Sequence, residues 1–106
     1  MPPMRSGSEL IPQSTDQPVQ ERFREPLYRV IIHNDDVTPM DFVTHILVAV
    51  FCVPGENAFT IMYTAHLRGS AYVQTLPKPE ALSRINKAHF AARMKGFPLQ
   101  FSMERE

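Results

Sequence analysis

The feature that most constrains this chain lies at residues 31–42, where a strand pattern passes directly into a helix start. Three successive polar side chains separate the two patterns: Asn34, Asp35 and Asp36. Thr38 is the predicted N-cap of the helix and Pro39 its first residue, a combination that favours helix initiation. The run therefore predicts a tight strand-to-helix turn that presents two carboxylates and an amide side by side.

The hydrophobic pattern predicts three strands and three helices. Alternating residues predict strands at 27–33, 70–76 and 99–104, and helical spacing predicts helices at 39–51, 54–67 and 79–95. Gly69 is placed to end the second helix in the left-handed conformation. The order β-α-α-β-α-β predicts an α+β domain, in which a small three-stranded antiparallel sheet is covered by three helices on one face.

The apolar positions also predict which faces are buried. In the first strand Tyr28, Val30 and Ile32 are expected to face the core. The third helix is expected to turn six residues inward: Ala81, Leu82, Ile85, Ala88, His89 and Ala92. Cys52 lies in an apolar run, which favours a small buried side chain over a reactive thiol.

The first 25 residues differ in composition from the rest of the chain. They carry Pro2, Pro3, Pro12 and Pro18 among serine, glutamine and charged residues, with few large apolar side chains. Such a segment buries too little surface to offset its conformational entropy. We therefore expect a disordered N-terminal arm at residues 1–25 and one domain at residues 26–106.

Composition disfavours several classes of function. The chain has 106 residues, 11 basic and 11 acidic, so its net charge of zero argues against strong attraction to nucleic acid or to an anionic membrane. A single cysteine excludes an intrachain disulfide and fits a reducing compartment. No apolar stretch approaches the ~20 residues of a membrane span, and no signal-peptide core is visible. A cytoplasmic monomer is the expectation.

The acceptors of Asn34, Asp35 and Asp36 match a cation that carries several N–H donors. A calcium loop would need further oxygens at alternating positions and a distant glutamate, and that pattern is absent. The four histidines lack close ligand spacing, and no nucleophile elbow is visible. The residues therefore predict no metal, no cofactor and no enzymatic activity.

Two other interpretations remain open at this point. Asn34 and Asp35 are also the residue types that cap backbone groups in a turn, which by itself would explain them. Helix 3 and its end carry a row of cations that would suit nucleic acid: Arg84, Lys87, Arg93 and Lys95. A charged outer helix face is more often simply solvated, and the zero net charge weighs against nucleic acid.

Taken together, the motifs resemble the ClpS adaptors of the bacterial N-degron pathway. The family signature Asn-Asp-Asp-x-Thr-Pro-Met-x-Phe-Val is read here at residues 34–43. Met62, His66 and Gly69 follow at the expected distances, and residues 96–99 match the family ending Gly-x-Pro-Leu. The resemblance extends from about residue 27 to residue 106, and several motifs in the right order make it specific.

The resemblance implies a non-enzymatic adaptor. Such proteins bind the free N-terminus of a protein that begins with Leu, Phe, Tyr or Trp, and deliver it to a ClpA- or ClpC-type unfoldase with the ClpP peptidase. By this resemblance Asn34, Asp36 and His66 would accept from the α-ammonium group, with Asp35 near the first peptide group. The hydrophobic pocket would be formed by Thr38, Met40, Val43, Ile46, Met62, Ala65 and Leu99, with Met40 excluding β-branched first residues.

The chain also departs from the family pattern. Val37 stands where a tyrosine is usual at the unfoldase-facing surface, and Ala65 is smaller than the usual valine, which predicts a roomier pocket. Unfoldase docking is assigned to Val37, Glu80 and Arg84, and the N-terminal arm is expected to be engaged by the unfoldase. The altered docking surface motivates an alternative, in which a ClpS-like domain binds peptides or modulates the unfoldase without delivering substrates.

Overall fold

The structure is a computed structural model, and it describes residues 25–106. The arm predicted at residues 1–25 therefore lies outside the described residues, apart from Glu25. In the described part the elements follow one another as β1 Leu27–His33, α1 Met40–Ala49, α2 Gly55–Arg68, β2 Ser70–Pro77, α3 Lys78–Met94 and β3 Gln100–Arg105. The predicted order β-α-α-β-α-β is confirmed.

The three strands form one antiparallel sheet with β1 in the centre, in the order β2-β1-β3. Ile32 lies opposite Ala71 on β2 and opposite Phe101 on β3. The register between β1 and β2 shifts between Val30 and Ile31, which marks a β-bulge or irregularity. Because β1 is central, the turn that follows its last residue, His33, starts from the best-supported strand of the sheet.

The core lies between one face of the sheet and the helices. Val30 and Ile32 are buried, as the alternation in β1 predicts, and the Phe51 and Phe101 rings pack with centroids 4.8 Å apart. Helix α3 buries Ala81, Ile85, Ala88 and Ala92. Three of these four are alanines, which allow the helix backbone to approach the sheet closely. Leu82 was predicted to face inward, but it is 41% exposed because it lies beside the buried stripe.

The start of α1 differs from the prediction by one residue. The helix begins at Met40, its N-cap is Pro39, and no side chain caps it. Thr38 does not act as the N-cap because its hydroxyl donates a hydrogen bond to Asp35 Oδ2, at 2.9 Å. The polar turn thus uses the residue that the sequence pattern assigned to the helix.

The chain leaves α1 through a residue in the left-handed conformation. Phe51 and Val53 are both buried, whereas Cys52 between them has φ +59° and is exposed. The prediction of a buried Cys52 is therefore wrong: the two larger apolar neighbours fill the core, and the thiol is left facing outward.

Long-range hydrogen bonds hold this segment in place. Arg84 Nη1 on α3 donates to the Phe51 carbonyl oxygen at 3.2 Å and to Gln74 Oε1 at 3.0 Å. Gln74 Nε2 on β2 donates to the same carbonyl at 3.0 Å. A carbonyl that follows the last turn of α1 thereby finds partners on two other elements.

Candidate functional site

A cavity of about 290 Å³ opens where β1 ends, between α1 and α2. It is lined by residues from the turn, both helices and the segment before β3: Ile32, His33, Asn34, Asp35, Asp36, Val37, Thr38, Pro39, Met40, Val43, Met62, Ala65, His66 and Leu99. The structure thus brings together all four residues predicted to bind the amine and the first peptide group. It adds six of the seven predicted pocket residues to the same cavity.

Asp35 organises the turn. Its Oδ1 accepts hydrogen bonds from the backbone N–H groups of Val37, at 2.8 Å, and Thr38, at 2.6 Å, and its Oδ2 accepts from the Thr38 hydroxyl at 2.9 Å. Partial burial acts to raise the pKa of the Asp35 carboxyl. The hydrogen bonds from Thr38 and Val37 and the charge of Arg93 outweigh burial and hold that pKa below its usual value. The turn-capping interpretation is therefore confirmed for Asp35.

Asn34 and Asp36 flank this ordered carboxylate, and both are exposed at the cavity. Asp35 holds the backbone at Val37 and Thr38, and the Gly69 carbonyl oxygen holds Asn34 N–H, so their acceptors are presented from an ordered turn. Such a constraint lowers the entropic cost of binding a ligand between them. The turn can thus hold a carboxylate and an amide oxygen ready for an N–H donor.

His66 reaches the same edge of the cavity from α2. The helix ends at Gly69, whose φ of +97° confirms the predicted left-handed cap. Gly69 N–H donates to the Ala65 carbonyl oxygen at 2.7 Å, and the Gly69 carbonyl oxygen accepts from Asn34 N–H at 2.9 Å. This backbone link joins the end of α2 to the polar turn, and Asn34, Asp36 and His66 all line the cavity.

The inner part of the cavity is apolar. Val43 of α1, Met62 and Ala65 of α2, and Leu99 before β3 are buried and form its walls. Arg93 Nη1 holds the Leu99 backbone by donating to its carbonyl oxygen at 3.1 Å. Met40 is 46% exposed and stands at the mouth. A ligand with a charged end and one apolar side chain would match a cavity that is polar at its mouth and apolar inside.

The structure separates Ile46 from the other six predicted pocket residues. Ile46 does not border the cavity and is buried in the hydrophobic core. It lies one helical turn beyond Val43, where the apolar stripe of α1 has passed from the cavity to the core. The stripe by itself could not show where this change occurs, since both regions require apolar side chains.

Four lining residues were not assigned to the pocket from the sequence: Ile32, His33, Val37 and Pro39. The alternation in β1 predicts only that Ile32 faces inward. For the other three, the available signal of a place in the cavity is that they lie next to the acidic run in the sequence. His33 has its Nε2 atom 2.6 Å from Ser102 Oγ on the neighbouring strand. This contact links the end of β1 to β3 at the cavity rim.

The residues assigned to docking have different surroundings. Val37 and Glu80 are exposed, whereas Arg84 is half-buried and donates to Phe51 and Gln74. The cationic row considered for nucleic acid is also partly used within the fold, because Arg93 donates to the carbonyl oxygens of Phe97 and Leu99. Two of its four cations are therefore committed to structure.

Within residues 25–106 no group of three or more His, Cys, Asp or Glu side chains is arranged to hold a metal ion. None of the helices described there has the length and apolar character that crossing a membrane requires.

Comparison with known proteins identifies the family. The model of the family described as "ATP-dependent Clp protease adaptor protein ClpS" matches residues 23–102. The chain belongs to the ClpS family. Its members are adaptors of the ATP-dependent Clp protease, and this membership confirms the resemblance seen in the motifs.

Individual relatives agree with this assignment. The ClpS adapter protein of Desulforapulum autotrophicum is 42% identical over 81 residues, which cover 76% of this chain and 78% of that protein. ClpS 1 of Bradyrhizobium diazoefficiens is 41% identical over 83 residues, 78% of this chain and 82% of that protein. A solved structure of Agrobacterium tumefaciens ClpS2 bound to L-phenylalaninamide is 40% identical, with a TM-score of 0.75, and the match covers 78% of this chain and all of that one.

Proposed function

We propose that this protein binds the free N-terminus of proteins that begin with Leu, Phe, Tyr or Trp, and delivers them to a ClpA- or ClpC-type unfoldase with ClpP. The observation that carries the proposal is the composition of one cavity, which has exposed acceptors at its mouth and an apolar interior. A free N-terminal residue has the same two parts, an ammonium group and a side chain.

The polar half suits an α-ammonium group. That group has three N–H donors, and Asn34, Asp36 and a ring nitrogen of His66 can offer three acceptors that line the same cavity. Asp35 lines the same cavity, and we assign it to the surroundings of the first peptide group. An N-acetyl cap removes the charge and two donors, which would leave acceptors without partners at a cost of ~1–3 kcal/mol each.

The apolar half suits one large side chain. The whole cavity, polar and apolar parts together, has a volume of about 290 Å³, just below the usual range for ligand sites, which fits a single residue rather than a longer peptide. Burial of a Leu or Phe side chain among Val43, Met62 and Leu99 would stabilise the complex by about 1.5–3 kcal/mol. Met40 at the mouth would disfavour residues that branch at Cβ, such as Ile and Val.

The Agrobacterium relative supports this assignment. L-phenylalaninamide consists of a free α-amine, a phenylalanine side chain and an amide in place of the next peptide group. A protein 40% identical to this chain binds that molecule. We therefore propose that the cavity between α1 and α2 binds the same class of ligand.

The proposal is tested by measuring the affinity of this protein for short peptides that differ only in residue one. Peptides that begin with Leu, Phe, Tyr or Trp should bind tightly, and those that begin with Ile, Val or Arg weakly. N-acetylation and the Asp36→Ala substitution should each abolish binding of the first group. Equal affinity for free and acetylated peptides would contradict the amine site, and no binding of any free N-terminus would mean that the motif is retained only as structure.

Delivery is a separate step with its own test. Val37 and Glu80 are exposed, and with Arg84 they are our proposed unfoldase-facing surface. A reporter that begins with Phe should be degraded by ClpA–ClpP or ClpC–ClpP only when this protein is added, and deletion of residues 1–20 should slow degradation without changing peptide affinity. Tight peptide binding with no delivery to either unfoldase would favour the alternative of a non-delivering module.

A further inference from the structure

Helix α2 carries an exposed row of aromatic side chains that leads away from the cavity. Phe59 is 56% and Tyr63 47% exposed, although their rings stack on each other with centroids 6.0 Å apart and an angle of 7° between planes. The Tyr63 ring lies 6.3 Å from the ring of His66, which lines the cavity. Phe59, Tyr63 and His66 are called the α2 aromatic row below.

Single exposed apolar side chains are normal on a protein surface, but a continuous row that ends at a binding cavity marks an interaction surface. A second exposed apolar pair, Phe90 and Met94 on α3, includes no residue that lines the cavity. Unlike that pair, the α2 row is continuous with the cavity through His66.

We propose that the α2 aromatic row binds the substrate residues that follow the first one, with an apolar side chain at position three resting on Tyr63 and one at position five on Phe59. This inference rests on the proposed function, because it requires that residue one occupies the cavity. It adds a second specificity-determining surface, which reads the sequence downstream of the N-terminus.

The spacing of the rings supports this register. In an extended peptide, side chains alternate in direction, so residues three and five point to the same side as residue one. Residues two apart are separated by about 6.6 Å along an extended chain. The ring centroids of Tyr63 and Phe59 are 6.0 Å apart, close to the interval between residues three and five, and the Tyr63 centroid lies 6.3 Å from that of His66 at the cavity.

The chemistry of the row favours apolar or aromatic partners. The two outer side chains offer ring faces and edges, and Tyr63 adds only a phenolic hydroxyl. Their mutual stacking also restricts both rings before a ligand arrives, which lowers the entropy that binding must remove. Residue two would point away from the row and should have little influence on affinity.

Peptide affinity for the full chain tests the inference. All peptides begin with Phe and have a free amine, and they carry Leu or Ser at position three or at position two. With the wild-type protein, Leu at position three should bind about fivefold more tightly than Ser, whereas the same exchange at position two should have no effect. Tyr63→Ser should abolish the preference at position three and leave the affinity for the Ser peptide unchanged, which shows that the cavity is intact.

Phe90→Ser is the matched control, since it removes an exposed ring that is no part of the cavity lining, and it should retain the full preference. Equal affinity for Leu and Ser at position three, with tight binding that requires a free amine, would overturn the aromatic row and leave the proposed function standing. A preference that survives Tyr63→Ser would also overturn it. Failure of every free N-terminus to bind would remove both proposals.

Discussion

Asp35 and Asp36 are neighbours with identical side chains, and the fold gives them different tasks. The Asp35 carboxylate accepts from two backbone N–H groups and the Thr38 hydroxyl, whereas Asp36 is exposed at the cavity. The sequence motif presents both as candidate ligands. Only the hydrogen bonds separate the residue that builds the turn from the one left available to a ligand.

The two aspartates should therefore respond differently to substitution. Asp35→Ala removes the acceptor for three donors of the turn and should lower the free energy of unfolding by about 1–2 kcal/mol, similar to the loss of a helix cap. Asp36→Ala should change that free energy by less than about 0.5 kcal/mol but abolish binding of a peptide that begins with Phe. Urea unfolding and peptide affinity, measured on both variants, check this. A large loss of stability in Asp36→Ala would contradict the assignment.

His89 gives the fold a dependence on pH. Its Nε2 atom accepts a hydrogen bond from Phe101 N–H at 2.9 Å, which requires the neutral ring. Burial, and to a lesser extent the charge of Arg93, lower the pKa of His89 below its ordinary value of 6.5. The unfolded chain therefore takes up this proton at a higher pH than the folded one. The contribution to stability is complete above about pH 6.5 and decreases as the pH falls below that value.

Replacement of the His89 ring by a side chain that does not titrate should reduce the loss of stability at low pH. His89→Gln keeps an oxygen acceptor near Phe101 N–H and should lose less stability than the wild type between pH 7.5 and pH 5.5. The measurement is the free energy of unfolding in urea at both pH values. An identical decrease in the two proteins would assign the pH dependence to other groups.

At the scale of elements, the end of α2 and the polar turn form one unit. Gly69 ends the helix at φ +97°, and its carbonyl oxygen accepts from Asn34 N–H at 2.9 Å. Any side chain at position 69 would be strained by that backbone conformation, even though the space around its Cβ is open. The position of His66 relative to Asn34 thus depends on a backbone conformation that favours glycine.

Gly69→Ala should lower the free energy of unfolding by about 1 kcal/mol and weaken peptide binding, because the strain falls on the link between α2 and the turn. Gly55→Ala is the matched control: it also has open space at Cβ, but its φ is not positive and it begins the same helix. That variant should retain both stability and affinity. Equal effects of the two substitutions would show that the left-handed link has no special role.

Local patterns predicted the elements well but could not resolve their ends. Strand β1 was predicted with its observed bounds, because alternation in a central strand is a direct signal. The start of α1 was placed one residue early, since Thr38 is a good N-cap by residue type and nothing local showed that Asp35 engages it. Ile46 was assigned to the pocket by the family resemblance, and the apolar stripe could not separate cavity from core because both require apolar side chains.

At the scale of the whole molecule, some features depend on contacts between distant parts of the chain. Arg84 reaches the Phe51 carbonyl oxygen across 33 positions of sequence, and no local pattern indicates that this cation is used within the fold. Cys52 is exposed because its two neighbours fill the core. The cavity was expected from the family resemblance, and its motif residues lie on a turn and two helices whose order the sequence specified.

The central claim is that one cavity binds an α-ammonium group and an apolar first side chain together. It is tested most directly by NMR titration of the isotope-labelled protein with L-phenylalaninamide and, in parallel, with N-acetyl-L-phenylalaninamide. We predict amide shift changes in residues 34–38 and 62–66 with the free amine, and none with the acetylated compound at the same concentration. Equal shifts with both compounds, or shifts confined to residues away from this cavity, would contradict the account.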